Sequence, residues 1–388
     1  MKLEEMIVKM SSMMSITGHE DHESEALCAW LSPYFDGYDK DAMKNQIFVR
    51  YCGKPNAPKI LIDAHFDEIG MMVSEVKEGG FLTVVNIGGV DTRILQAADV
   101  LIYGKETLHG IVASTPPHLS SPDDRGKLKK ITELLIDTGY SREELEEIAP
   151  IGTPVGFFPK YQHLLGERIT GKGFDDKACA ACVASALMNV PKEDLAGDVY
   201  FLLSAHEETD RLGGVVCGGY SIMPDYAMVV DVNLGKTPDT PAADTVELGK
   251  GPSVTLSAVT DRRLTAMTLA LAEEKEIKVQ KSVSATSTGT NATSLGLVRG
   301  GISVVDVGLP LRSMHTYNEM LDLDDARALE RLVTEFVCSK EIAEVFGNDE
   351  YNRAFEGALS RLRPLGLRGQ RGRADHEKGR ALRLCAYP

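Results

Sequence analysis

No apolar run in this 388-residue sequence is long enough to form a membrane-spanning helix, so none is expected. The first residues, Met1-Lys2-Leu3-Glu4-Glu5, lack a basic stretch leading into a continuous apolar core, and no secretory leader is expected either. Positive charge is in short supply. The 42 Lys and Arg against 57 Asp and Glu leave a formal charge of −15, which argues against a nucleic-acid footprint. Neither nucleic acid nor membrane is expected as a partner. The seven cysteines are scattered and odd in number, so they form no disulfide framework, and a reducing cytoplasm is the simplest location. Cys179 and Cys182 make a C-x-x-C, but in an Ala-rich helical stretch with no second pair. They read as small buried helix residues rather than zinc ligands or a redox pair.

What is present is an ordinary globular composition, 43% hydrophobic and 26% charged, in a chain long enough for more than one domain. Residues 3–32 carry an amphipathic helical pattern broken at Thr17-Gly18-His19-Glu20, and a strand-like run follows from Pro58 to Phe66. Between about 70 and 159 the texture changes to short strands separated by Gly, Pro and Asp, as in a small β-barrel. Within that region the Ser/Asp/Lys-rich stretch from Pro116 to Lys130 reads as a mobile loop. After Gly171, helices expected at 177–189, 264–274 and 323–345 alternate with strands at 199–204, 226–231 and 302–307. This alternation predicts an α/β fold, a sheet covered by helices, with the β-rich segment inserted into it. The expected division is 1–69 and 160–350 for the two parts of the catalytic domain and 70–159 for the insertion. Residues 351–388 hold nine Lys and Arg against three Asp and Glu, and read as a disordered basic tail.

Five distant segments each end an apolar run in a side chain suited to metal. They are Asp63-Ala64-His65-Phe66-Asp67, Phe174-Asp175-Asp176, His206-Glu207-Glu208, Val230-Asp231 and Met314-His315. In an open α/β sheet, sites form at the carboxyl ends of strands, where His65, Glu208 and Asp231 would converge and His315 would follow shortly after its strand. Asp175 starts a helix that Asp176 could cap. Two imidazoles among carboxylates suit Zn²⁺, Co²⁺ or Mn²⁺ better than Ca²⁺ or Mg²⁺. A shared carboxylate could bridge two such ions, leaving room for a water activated to hydroxide near neutral pH. Extended backbone would point Glu207 and Glu208 to opposite sides, one toward metal and one toward the cleft as a general base. Asp67, two residues after His65, could orient its imidazole. Taken singly each residue has a structural reading, as core histidine, solvated acid pair, helix cap or turn residue; only their joint occurrence points to a centre.

The ordered set of motifs resembles the TET-type dimetal aminopeptidases, the family of glutamyl and deblocking aminopeptidases once labelled endoglucanase M-like. It comprises Ala64–Met72, Gly88-Gly89 before Asp91–Leu95, Pro116–Leu119, Leu135–Gly139 with Ser141–Glu144, Gly171–Lys177, His206–Glu208, Gly289–Ala292 and Leu311–His315. The resemblance runs to about residue 346. It implies a zinc-peptidase-like catalytic domain, two divalent ions per subunit, and removal of N-terminal residues from short peptides. It further implies Asp175 as bridging carboxylate, His65 with Asp231 on one metal, Glu208 with His315 on the other, Glu207 as general base and Asp67 as orienter. A cis peptide between Asp175 and Asp176 is implied, as is a homo-oligomer, dodecamer or dimer, built through the inserted barrel. The chain departs from the pattern at His206 (usually Gln), Asn291 (usually Asp), Lys177 (usually Arg) and Thr209–Gly213. Arg262 and Arg263 are read as a solvated pair rather than part of a first-residue pocket. Rival readings are a related dimetal deacylase or carboxypeptidase, and a metal-binding particle of weak activity. Glycoside hydrolysis would need paired carboxylates free of metal.

Overall fold

The computed structural model describes residues 1–114, 116, 118, 127–209 and 212–347. The basic tail and most of the 116–130 stretch lie outside these residues. Eight strands form the main sheet: β1 (Gly37–Lys40), β2 (Gln46–Arg50), β3 (Lys59–His65), β12 (Asp198–Ser204), β13 (Tyr226–Leu234), β14 (Ser253–Ser257), β15 (Gln280–Ser284) and β16 (Ser303–Leu311). Their spatial order is β1-β2-β12-β3-β13-β16-β14-β15. The central four run parallel, and antiparallel neighbours flank them, so the sheet is mixed. The parallel strands read as near-continuous hydrophobic runs because both faces are covered. One face packs against α1 (Leu3–Ser12), α4 (Phe174–Asn189) and α8 (Leu323–Cys338), the other against α5 (Gly213–Ile222) and α7 (Ala292–Leu295).

The insertion is a closed six-stranded barrel of β4 (Gly70–Lys77), β5 (Phe81–Ile87), β6 (Asp99–Tyr103), β7 (Thr107–Val112), β8 (Ile136–Asp137) and β9 (Pro154–Phe157). Strict alternation of exposed and buried residues along β7 shows why it forms: one face fills the barrel, the other meets solvent. The barrel has its own apolar core, including Met71, Val84, Val100, Ile102 and Val155. A helix, α3 (Arg142–Ile148), starts at a Ser141–Glu144 capping box on its surface. A third sheet joins β10 (Gln162–His163), β11 (Arg168–Gly171) and β17 (Glu319–Asp322).

Several expectations shift in detail. The N-terminal pattern resolves into α1 and α2 (Ser24–Leu31), and the 264–274 helix begins two residues earlier, as α6 (Arg262–Glu274). The single helix expected at 323–345 is two, α8 and α9 (Lys340–Phe346), because Ser339 leaves helical geometry at ψ 102° and caps the second through its side chain. Cys179 and Cys182 are fully buried in α4, whose small side chains let it lie close on the sheet, and Cys179 Sγ donates to the Asp231 carbonyl at 3.2 Å. Among the described residues no helix is long and apolar enough to cross a membrane.

Candidate metal centre

The carboxyl ends of β12, β3, β13 and β16 lie side by side, with Ser204 opposite His65 and Asp231 opposite Gly308. His65 ends β3, and Glu207 and Glu208 follow β12 in a turn. Asp231 sits inside β13, which runs three residues past the predicted end, to Leu234. His315 lies in the link from β16 to β17, where Ser313 and His315 both adopt left-handed backbone, φ 56° and 62°. Gly173 starts α4 at φ 64°, and Asp175 and Asp176 depart from helical geometry across a cis peptide bond.

Asp175 is the hub. Its Oδ1 is 3.0 Å from His65 Nε2, and its Oδ2 is 3.4 Å from His315 Nε2. His65 Nε2 is also 3.8 Å from Asp231 Oδ1, and His315 Nε2 is 3.2 Å from Glu208 Oε2. Two groups therefore form, His65–Asp175–Asp231 and Asp175–Glu208–His315, each with ligand atoms within 4.8 Å of one another. They share Asp175 alone. The donors are buried except half-buried His315, and Glu208 Oε1 is buried without a hydrogen-bond partner. Buried carboxylates at this density repel one another and need compensating positive charge. Burial, then neighbouring acids, raises the carboxyls of Asp231 and Glu208, while His315 and His65 hold Asp175 low despite its burial. The donor set, orphaned oxygen and uncompensated charge all fit two divalent cations.

Glu207 carries no ligand distance to either group but lines the same cleft; burial and the neighbouring carboxylates push its carboxyl up to about 8. The 206–208 segment is a turn, with His206 at φ 63°, so strand alternation does not separate the two glutamates as the sequence predicts. Asp67 sets that turn: its Oδ1 accepts from Glu207 N at 3.0 Å and its Oδ2 from Glu208 N at 3.1 Å and Thr17 Oγ1 at 2.8 Å. His65 Nδ1 lies 3.0 Å from the Asp67 carbonyl and 3.6 Å from its carboxylate. Asp67 thus reaches the imidazole chiefly through its backbone.

Glu319, which sequence reasoning missed, is buried on β17. Its Oε2 accepts from Phe174 N and Asp175 N, and its Oε1 from His315 N. One side chain so ties together the backbones of two elements distant in sequence. No local motif marks it. Gly88-Gly89, at the end of barrel strand β5, abut the centre, and a Cβ on Gly89 would stand 2.8 Å from His315 Nδ1.

The departures find places. Asn291 Nδ2 donates to Asp63 Oδ2 and Ser204 Oγ, both at 2.9 Å, so the amide gives buried Asp63 a donor where a second carboxylate would repel it. His206 is partly exposed and its backbone N–H donates to Glu20 at 3.2 Å. Lys177 is buried at 3.0 Å from Glu68, turned away from the cleft. Arg262 and Arg263 are exposed at the start of α6.

The M42 glutamyl aminopeptidase profile matches residues 45–332. The chain belongs to that family. It is 32% identical over 277 residues to the lysyl aminopeptidase of Pyrococcus furiosus, an alignment covering 70% of this chain and 79% of that one. Among solved structures it is similar to a TET aminopeptidase of a marine sediment Thaumarchaeota archaeon, at 27% identity and TM-score 0.81 over 89% of this chain and all of that one, 100%. It is also similar to the Pyrococcus horikoshii TET1 peptidase, which can assemble into a tetrahedron or a large octahedral shell, at 27% identity, TM-score 0.76 and 87% and 99% coverage. As an M42 member the chain is a metal-dependent aminopeptidase.

Proposed function

We propose that this chain removes N-terminal residues from short peptides at a centre of two divalent ions, Zn²⁺ or alternatively Co²⁺ or Mn²⁺. The observation that carries this reading is the division of the Asp175 carboxylate between two imidazoles, one oxygen to each. Asp175 would bridge, with His65 and Asp231 completing one ion and Glu208 and His315 the other. Bound cations of this kind supply Lewis acidity, polarising a peptide carbonyl and making a water nucleophilic near neutral pH. Glu207 would be the group that moves the proton, its carboxylate accepting one from the attacking water and giving it to the leaving nitrogen. Its carboxyl is raised by burial and by the neighbouring carboxylates, and cations bound beside it would favour the carboxylate, the form that accepts a proton. Asp67 holds the 207–208 turn, so that Glu207 would serve the proton while Glu208 ligates.

A deacylase or carboxypeptidase reading needs a cation to receive a substrate carboxylate. Among the described residues lining the cleft the one Lys or Arg is Lys281, on an edge strand. We further propose that the barrel, as a 70–159 domain, mediates homo-oligomer assembly, up to a dodecamer, in the cytoplasm. Exposed Ile111, Ile151 and Phe158 at its surface, and the shells built by the P. horikoshii TET1 peptidase, support this.

Metal analysis tests the centre. Chelator-treated protein should lose hydrolysis of aminoacyl-p-nitroanilides and regain it with Zn²⁺, Co²⁺ or Mn²⁺, binding about two ions per chain. Asp175→Ala should weaken both sites, whereas His315→Ala should remove about one equivalent. Equal stoichiometry in the two variants would refute a bridging role. Asp67→Asn places an amide N–H against a backbone N–H, and activity or metal affinity should fall about 10- to 100-fold.

A further inference from the structure

Asp175, Glu208, Asp231 and His315 of the candidate metal centre line a cleft of about 1200 Å³. The far wall is built from β14, β15, β16 and the segment leading into α7. Strand alternation decides which side chains enter it. Val229 pairs with Asp306 and Asp231 with Gly308, so Asp306 shares the face of Asp231 and lies two residues, about 7 Å, deeper along the strand. The pairing of Val254 with Val307 carries Thr255 onto the same face, and its Oγ1 meets Ser282 Oγ at 2.9 Å. Lys281 also borders the cleft, but it pairs with Val254, whose side chain packs in the core of the other face, so alternation directs Lys281 away.

Asp306 is 3% exposed and accepts from Thr290 Oγ1 at 2.7 Å, with the Thr255 hydroxyl as a further donor. Thr288 and Thr293 extend the hydroxyl lining beside it. Among the described residues, Asp306 is thus the buried anion of this wall, and no Lys or Arg side chain on its face neutralises it. Burial raises its carboxyl above the ordinary range, a cost that an incoming ammonium would offset. A flexible four-carbon side chain on a residue seated at the metals is of the right length to reach it. A hydroxyl-lined wall ending in a carboxylate gives little to a leucine side chain and repels a glutamate.

We propose that Asp306 closes the first-residue pocket as its specificity-determining group, and that the enzyme takes peptides beginning with a basic side chain. This rests on the aminopeptidase reading above. The test compares lysyl-, norleucyl- and glutamyl-p-nitroanilides with the metal-loaded full chain; norleucine keeps the lysine stem and lacks the ammonium. Lysyl kcat/KM should exceed norleucyl by at least about 10-fold, with glutamyl poorest, and Asp306→Asn should lower the lysyl-to-norleucyl ratio about 10- to 100-fold. Asp306→Glu should retain part of the preference. A wild-type ratio near one, a ratio unmoved by Asp306→Asn, or glutamyl as the best substrate would each overturn the assignment. Failure of all three anilides with metal bound would overturn the aminopeptidase reading and this inference with it. Activity with the wrong preference overturns the inference alone. Should Asp306→Asn fail to fold, the wild-type ratio still decides.

Discussion

Glu207→Gln is expected to lower kcat by about 10²- to 10⁴-fold while leaving metal content at the wild-type value. The side chain keeps its shape but can no longer accept a proton. Glu207 reaches the cleft, yet no ligand group includes it, so its loss should not disturb ion binding. Its neighbour gives the contrast: Glu208 lies 3.2 Å from His315 Nε2, so Glu208→Gln should lower metal content as well as rate. Measuring bound metal and kcat on the same samples separates the two roles. A Glu207→Gln enzyme within a few-fold of wild type would move the general base elsewhere.

Glu68→Gln should cost about 3–5 kcal/mol of stability at neutral pH. Glu68 stands between two buried lysines: its oxygens are 2.8 and 2.7 Å from Lys172 Nζ, and Lys177 Nζ, its pKa drawn down to about 7 by its own burial, lies 3.0 Å away. The lysines are 1% and 0% exposed. Removing the carboxylate leaves positive charge buried without a counter-charge, which is far more costly than losing a surface ion pair. Burial works against the Glu68 anion, but Lys172 and then Lys177 outweigh it and hold the carboxyl below the ordinary glutamate range. A depressed folded-state value means that the stabilisation is complete above the unfolded value, near pH 4.5, and is lost as pH falls through the lower folded value. The gap in denaturation midpoint between wild type and variant should therefore be widest at neutral pH and narrow in acid. A gap constant across that range would mean that the ion pairs contribute nothing.

The same cluster shows how far local sequence reaches. Lys177 invites comparison with an arginine at the site, yet its direction depends on Glu68, more than a hundred residues earlier in the chain. Glu319 is similar: an isolated acid in the sequence, it becomes a clamp on Asp175 and His315 only when β17 folds back beside β11. The Glu207–Glu208 pair stood out in the sequence, but its geometry did not. A left-handed His206 and the Asp67 carboxylate, rather than the pleat, orient it. Asp306 gave no signal at all, because a lone acid in an apolar strand acquires meaning only from the residues on neighbouring strands.

The amino-acid sequence by itself determined the class of fold, because residue periodicity records which faces must be buried. It also offered the candidate donors, His, Asp and Glu at or just beyond apolar runs, two of which become β3 and β13. The tertiary structure alone decided how those side chains divide into two groups around Asp175, which acids bond to their backbones, and that Asp306 lines the same cleft. Distances across a sheet are set by strand order and register, and these are properties of the packed chain that no local stretch of it contains.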